Sequence, residues 1–122
     1  MSSVINNLLK ILQKNKIEFF TGVPDSVLKP LSIKLSKMSK KKHIITANEG
    51  GAVSLATGYN LATNKIALVY LQNSGLGNII NPITSMIHKK IYRIPMLLFI
   101  GWRGAPGLSD EVQHEVQGKI TL

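Results

Sequence analysis

His43-Ile44-Ile45-Thr46-Ala47-Asn48-Glu49-Gly50-Gly51-Ala52-Val53-Ser54-Leu55-Ala56-Thr57-Gly58-Tyr59 contains a single acid, Glu49. Residues 43–46 read as a strand and 48–62 as a helix of small and apolar residues. A helix with almost no charge is a buried one, and its lone carboxylate then sits at the N-terminus, facing the carboxyl edge of the preceding strand. Ligands of open α/β sheets bind along that edge. Burial there favours the neutral acid, whereas the helix dipole and free N–H groups favour the anion, so a ligand nitrogen can set the proton. The alternative is an acid that only caps the helix.

Outward from this unit the chain repeats it. Val4, Ile5, Leu8, Leu9, Ile11 and Leu12 recur at helical spacing and predict an amphipathic helix over 3–15. A short strand is expected at 17–20, then turn chemistry at Gly22-Val23-Pro24-Asp25, with Asp25 or Ser26 as a cap. The next helix carries Val27, Leu28, Leu31, Leu35 and Met38, and Pro30 fits it if the regular part starts near Lys29. Strands at 66–71 and 95–100 and a helix at about 77–88 complete the series. Such alternation specifies a three-layer α/β/α domain with a parallel sheet and right-handed crossovers. One domain over 1–122 is expected, incomplete at its C-terminus, because an apolar element is only beginning at 118–122.

Composition narrows the function. The chain has 122 residues, 44% hydrophobic but 6% aromatic, so the core must come from Ile, Leu, Val and Ala. It has no cysteine, which removes disulfides, thiolate nucleophiles and thiolate zinc sites and fits a cytoplasmic location. No apolar run reaches membrane-spanning length, so no membrane partner is expected. The net charge of +9 points to nucleic acid only until its distribution is read. The basic residues are mostly scattered Lys, with one cluster from Lys37 to Lys42, and neither a stacking platform nor a recognition helix accompanies them. A solvated Lys-rich surface is the reading, with no nucleic-acid partner.

The loops at the carboxyl edge hold the remaining chemistry. Asn73-Ser74-Gly75-Leu76-Gly77-Asn78 offers backbone amides ahead of a helix, either to hold a polar ligand or simply to let strand and helix pack closely. It lacks the third glycine of a dinucleotide fingerprint and the lysine of a P-loop. Arg103 ends the most apolar strand, where a planar guanidinium grips phosphonate, sulfonate or carboxylate oxygens, or else pairs with Asp110 or Glu111 to pin its loop. Asp110-Glu111-Val112-Gln113-His114 concentrates polar side chains, among them an imidazole able to shuttle protons, although a lone His is more often structural. His43 and His88 are background.

Phe20-Thr21-Gly22-Val23-Pro24-Asp25-Ser26, Asn48-Glu49-Gly50, Ala56-Thr57-Gly58-Tyr59, Gln72-Asn73-Ser74-Gly75-Leu76-Gly77-Asn78, Asn81-Pro82 and Ile100-Gly101-Trp102-Arg103-Gly104 together closely resemble the phosphonopyruvate decarboxylases. The resemblance spans nearly the whole chain and matches the N-terminal, pyrimidine-binding domain of thiamine-diphosphate enzymes, with the sulfopyruvate decarboxylase α-subunit as the nearest competitor. It implies that Glu49 hydrogen-bonds N1′ of the cofactor aminopyrimidine, and that Asn73, Ser74, Gly75, Leu76 and Gly77 line the cofactor. Asp25 and His114 would be the catalytic acid and base candidates. Arg103, with Asp25 and Gln113, would meet a 2-oxoacid substrate, the Arg103 role resting on chemistry more than on the resemblance. No residue here is expected to bind metal. The diphosphate and Mg²⁺ would be held by a second domain or subunit, matched by nothing in this chain, which alone should turn over nothing measurable. A homo-oligomer is implied as well.

Overall fold

The computed structural model describes residues 2–121. Its elements are α1 (Ser2–Lys14), β1 (Phe19–Gly22), α2 (Lys29–Leu35), β2 (His43–Ile45), α3 (Glu49–Thr63), β3 (Ala67–Gln72), α4 (Leu76–Pro82), β4 (Met96–Gly101) and α5 (Val112–Lys119), with a 3-10 turn over Asn73–Gly75 and a π turn over Ile83–Ile87. The four strands form one parallel sheet in the order β2-β1-β3-β4.

Side-chain alternation along the strands sorts the core into two layers. Phe20, Leu68 and Tyr70 point to the side covered by Leu12 of α1 and by Leu31 and Leu35 of α2. Phe19, Ala67, Val69 and Leu71 point the other way, against Ala52, Val53 and Ala56 of α3 and Ile79 of α4. Leu31 and Leu35 are 1% and 0% exposed, each worth roughly 1.5–3 kcal/mol of burial. The expected three-layer α/β/α architecture is therefore the one observed. No helix among the described residues is long and apolar enough to cross a membrane.

The strand order places a topological switch between β1 and β3. From β1 the chain crosses to β2 on one side, and from β3 to β4 on the other, so the two following loops diverge and leave a crevice at their carboxyl ends. Apart from the Lys37–Lys42 cluster, which precedes β2, the polar motifs read above lie in the loops and helix starts that follow the strands.

Several boundaries differ from the expected ones for local reasons. The first strand runs Phe19–Gly22 rather than 17–20. Ile17 is taken up by the stop of α1, where Lys16 adopts φ 61° and the Ile17 N–H donates to the Leu12 carbonyl. The strand extends to Gly22 because that residue lies directly against the Tyr70 carbonyl, where any Cβ would collide. Helix 77–88 is split, with α4 giving way to the π turn at Pro82, whose missing N–H breaks the regular ladder. Helix α5 lies where a polar loop and a new apolar element were expected. Pro30 does fall in the first turn of α2.

Candidate active site

Glu49 opens α3 but does not cap it. Asn48, in extended conformation, is the cap, its Oδ1 accepting the Gly51 N–H at 2.8 Å. The Glu49 carboxylate is 9% exposed and turned instead toward the start of α4, where Oε2 accepts from the Asn78 side-chain amide at 2.7 Å. The same carboxylate lies over Gly75, and a Cβ there would run into Oε1, Cδ and Cγ. A second close approach locks the two helix starts together, since a Cβ on Gly50 would meet the Asn78 carbonyl at 3.0 Å. Asn78 is the only donor to the carboxylate among the described residues, which leaves Oε1 open to an incoming N–H.

Asp25 follows β1 and is 7% exposed. Its Oδ2 accepts from the N–H groups of Val27 (3.0 Å) and Leu28 (3.2 Å), fastening the turn ahead of α2. Its Oδ1 is buried without a partner, as is Oγ1 of Thr21 on β1. Gly101 at the end of β4 leaves room for this carboxylate, because a Cβ there would strike Oδ2. A buried carboxylate oxygen with nothing to accept is costly, and a bound donor is the usual remedy.

Arg103 is engaged by its own loop. Nε donates to Asp110 Oδ2 at 2.8 Å and Nη2 to Asp110 Oδ1 at 2.5 Å, a bidentate pair, while Nη1 donates to Ser26 Oγ at 2.6 Å. His114 Nδ1 lies 2.7 Å from Arg103 Nη2 and 3.0 Å from Asp110 Oδ1. Asp110 also accepts the N–H groups of Gly104 and Glu111. The Arg103 guanidinium foremost, then these backbone bonds and His114, hold Asp110 well below the usual carboxylate range despite partial desolvation. The hydrogen bonds to Asp110 raise the Arg103 value in turn. Of the two readings of Arg103, the pairing with Asp110 is the arrangement present.

Asn73 joins the two clusters. It is 0% exposed, its Oδ1 accepts the Arg103 N–H at 3.1 Å, and its Nδ2 donates to the Arg103 carbonyl and to Thr121 Oγ1, both at 2.9 Å. Its side chain is thus a clasp between loops rather than a free ligand group. The other residues expected around a cofactor divide similarly. Gly75 underlies Glu49, Leu76 packs into the α3 layer, Ser74 accepts from Gln72 at 2.7 Å, and Gly77 faces open space. Gln113 is exposed on α5 and shares no hydrogen bond with Arg103. His43 is a core residue bonded to the Tyr70 hydroxyl at 2.8 Å; burial lowers its value and pushes Tyr70 up to about 12. His88 serves a local turn.

Sequence reasoning gave the side chains of Asn78 and Gly101 no role of their own, and Ser26 only that of a possible helix cap. Asn78 was detectable: it lies three residues beyond Gly75, on the first turn of the helix that the glycine loop opens. Ser26 and Gly101 act only through contacts between distant loops, for which local spacing carries no signal.

The family model described as thiamine pyrophosphate enzyme, N-terminal TPP binding domain matches residues 3–121. The chain belongs to this family. It is 40% identical over 100 residues to the phosphonopyruvate decarboxylase of Streptomyces viridochromogenes, covering 82% of this chain and 24% of that one. It is 38% identical to the sulfopyruvate decarboxylase subunit alpha of Methanococcus maripaludis, covering 88% of this chain and 61% of the subunit. The chain thus spans only part of either relative. In fold it matches the X-ray structure of a thiamin diphosphate-dependent enzyme isolated from Mycobacterium smegmatis, with TM-score 0.63 and 24% identity over 83% of this chain and 18% of that one.

The site fits the pyrimidine end of that cofactor. Glu49 offers an acceptor oxygen, Gly75 clears its approach, and Asp25 keeps a buried acceptor unpartnered. No group of three or more His, Cys, Asp or Glu side chains able to hold a metal ion occurs among the described residues.

Proposed function

We propose that this chain supplies the aminopyrimidine-binding half of a thiamine-diphosphate-dependent 2-oxoacid decarboxylase acting on phosphonopyruvate. The observation that carries the reading is Glu49, a carboxylate with one oxygen held by Asn78 and the other open at the carboxyl edge. Glu49 would hold the pyrimidine ring nitrogen through Oε1, the oxygen able to carry a proton there, and residues 73–77 would help to hold the ring. The cofactor, when bound, supplies the electron sink for decarboxylation. One carbon–carbon bond breaks, CO₂ leaves, and the carbon that carried it takes up a proton to give phosphonoacetaldehyde.

Asp25 and His114 handle that proton. Arg103 meets the distal phosphonate through Nη1, beside Ser26 and Gln113, with Asp110 holding the guanidinium in place. A second domain or subunit supplies the diphosphate and Mg²⁺ ligands, and the complete cytoplasmic enzyme is an oligomer.

A second reading, the α-subunit of a two-chain sulfopyruvate decarboxylase, is supported by the 38% identity to that subunit. Assaying the complete enzyme for CO₂ release from phosphonopyruvate and sulfopyruvate separates the two. The higher kcat/KM names the substrate. Release from neither, by enzyme loaded with cofactor and Mg²⁺, overturns both readings.

A further inference from the structure

We propose that Asn78 is a positioning residue that assigns the two oxygens of Glu49 different tasks, Oε2 to structure and Oε1 to the proton. The inference rests on the cofactor role of Glu49 proposed above and concerns what makes that carboxylate serviceable.

Asn78 is exposed on the first turn of α4, where water would satisfy its amide. Instead Nδ2 reaches across to Glu49 Oε2 at 2.7 Å, linking residues 29 positions apart in sequence. An amide N–H₂ donates only, so Oε2 is kept as an acceptor in either ionisation state, and a proton arriving on the carboxyl group must go to Oε1. The donor is also neutral. Arg or Lys in its place would pair the charge, as Arg103 does for Asp110, and hold it as an anion. Asn orients the group without fixing its charge. Close packing supports this orientation: the carboxylate lies over Gly75 with no room for a Cβ, and Gly50 abuts the Asn78 carbonyl. Asn78, Gly75 and Gly50 therefore form a mould for one carboxylate orientation.

The test compares Asn78→Ala and Asn78→Asp with the parent in two settings. In the cofactor-free chain, the ¹³C carboxyl shift of Glu49 is followed against pH. Asn78→Asp sets a second carboxylate against the first and should move the Glu49 midpoint up relative to the parent through like-charge repulsion. In the complete holoenzyme, exchange of the cofactor C2 proton for deuterium should slow in Asn78→Ala by about 10–100-fold, the usual cost of losing a group that orients a functional side chain. KM should change little. Unmoved midpoints and parental exchange rates in both variants overturn the inference, and so does a loss of melting temperature with an unaltered pH profile, which makes Asn78 structural only. Glu49→Gln is run alongside. If it too exchanges at the parental rate, the reading of Glu49 itself has failed; if it alone is slow, only the role of Asn78 has.

Discussion

Glu49 and Asp110 are both carboxylates at the carboxyl edge of one sheet, yet their surroundings differ in kind. Asp110 accepts from a guanidinium, two backbone N–H groups and the neighbourhood of an imidazole, so every part of it is engaged and its charge is fixed. Glu49 accepts from one neutral amide and leaves an oxygen open. A carboxylate that must stay charged is surrounded by donors; one that must exchange a proton is given few. The two clusters thus hold the same functional group in two opposite ways, one saturated with donors and one nearly free of them.

The sharpest way to break this contrast is Glu49→Gln. Size and packing are kept, but the oxygen able to take a proton is lost, so C2 exchange in the complete enzyme should fall by about 10²–10⁴-fold while the melting temperature stays near that of the parent. Parental exchange would place Glu49 with Asp110 as a structural acid. Arg103→Ala should do the opposite, leaving C2 exchange normal and raising substrate KM by about an order of magnitude through loss of a charge-assisted hydrogen bond. An unchanged KM would leave Arg103 only its bond to Asp110.

The clasp between the clusters gives a smaller effect. Asn73→Ala takes away the partner of the Arg103 N–H and carbonyl and leaves Thr121 Oγ1 only its bond to the Gln117 carbonyl, for a loss of about 1–3 kcal/mol seen by denaturant unfolding. Stability unchanged by this substitution would mean that the two loops hold their positions independently. The smallest effect is on pH dependence. The folded value of His43 is lowered, so the unfolded chain binds the extra proton first; its contribution is fully present above about 6.5 and is lost as pH falls through the folded value. Asp110, depressed below 3.8, contributes above that pH and loses its share only in stronger acid. Melting temperature should therefore begin to drop below about pH 6.5, and His43→Gln should flatten that first decline.

The parallel sheet and its two helix layers were legible because βα alternation and apolar periodicity are local signals. Glu49 was legible for a related reason: a single charge in an uncharged helix stands out by itself. What the sequence hid was the partner of each charge. Asn78 and Glu49, or Ser26 and Arg103, meet only after the sheet brings separate loops to one edge, so Arg103 kept two readings until its bond to Asp110 was seen. Helix α5 escaped because polar residues dominate it, although Val112, Val116 and Ile120 recur every four residues, the one periodic trace of a helix.

That same helix gives the domain two tiers of cooperativity. Helix α5 is fastened by polar bonds, from Asn73 to Thr121, Gln117 to the Asn73 carbonyl and Trp102 to the Gly118 carbonyl, while Val112, Val116 and Ile120 face outward, 76%, 61% and 70% exposed. With so little apolar burial behind it, α5 can open as a local unit well below the free energy that melts the sheet. Each opening carries His114 away from Arg103 and leaves Glu49 on Asn78, so amide exchange in α5 measures how often the domain stands with its Glu49–Asn78 pair formed and its Arg103 cluster dismantled.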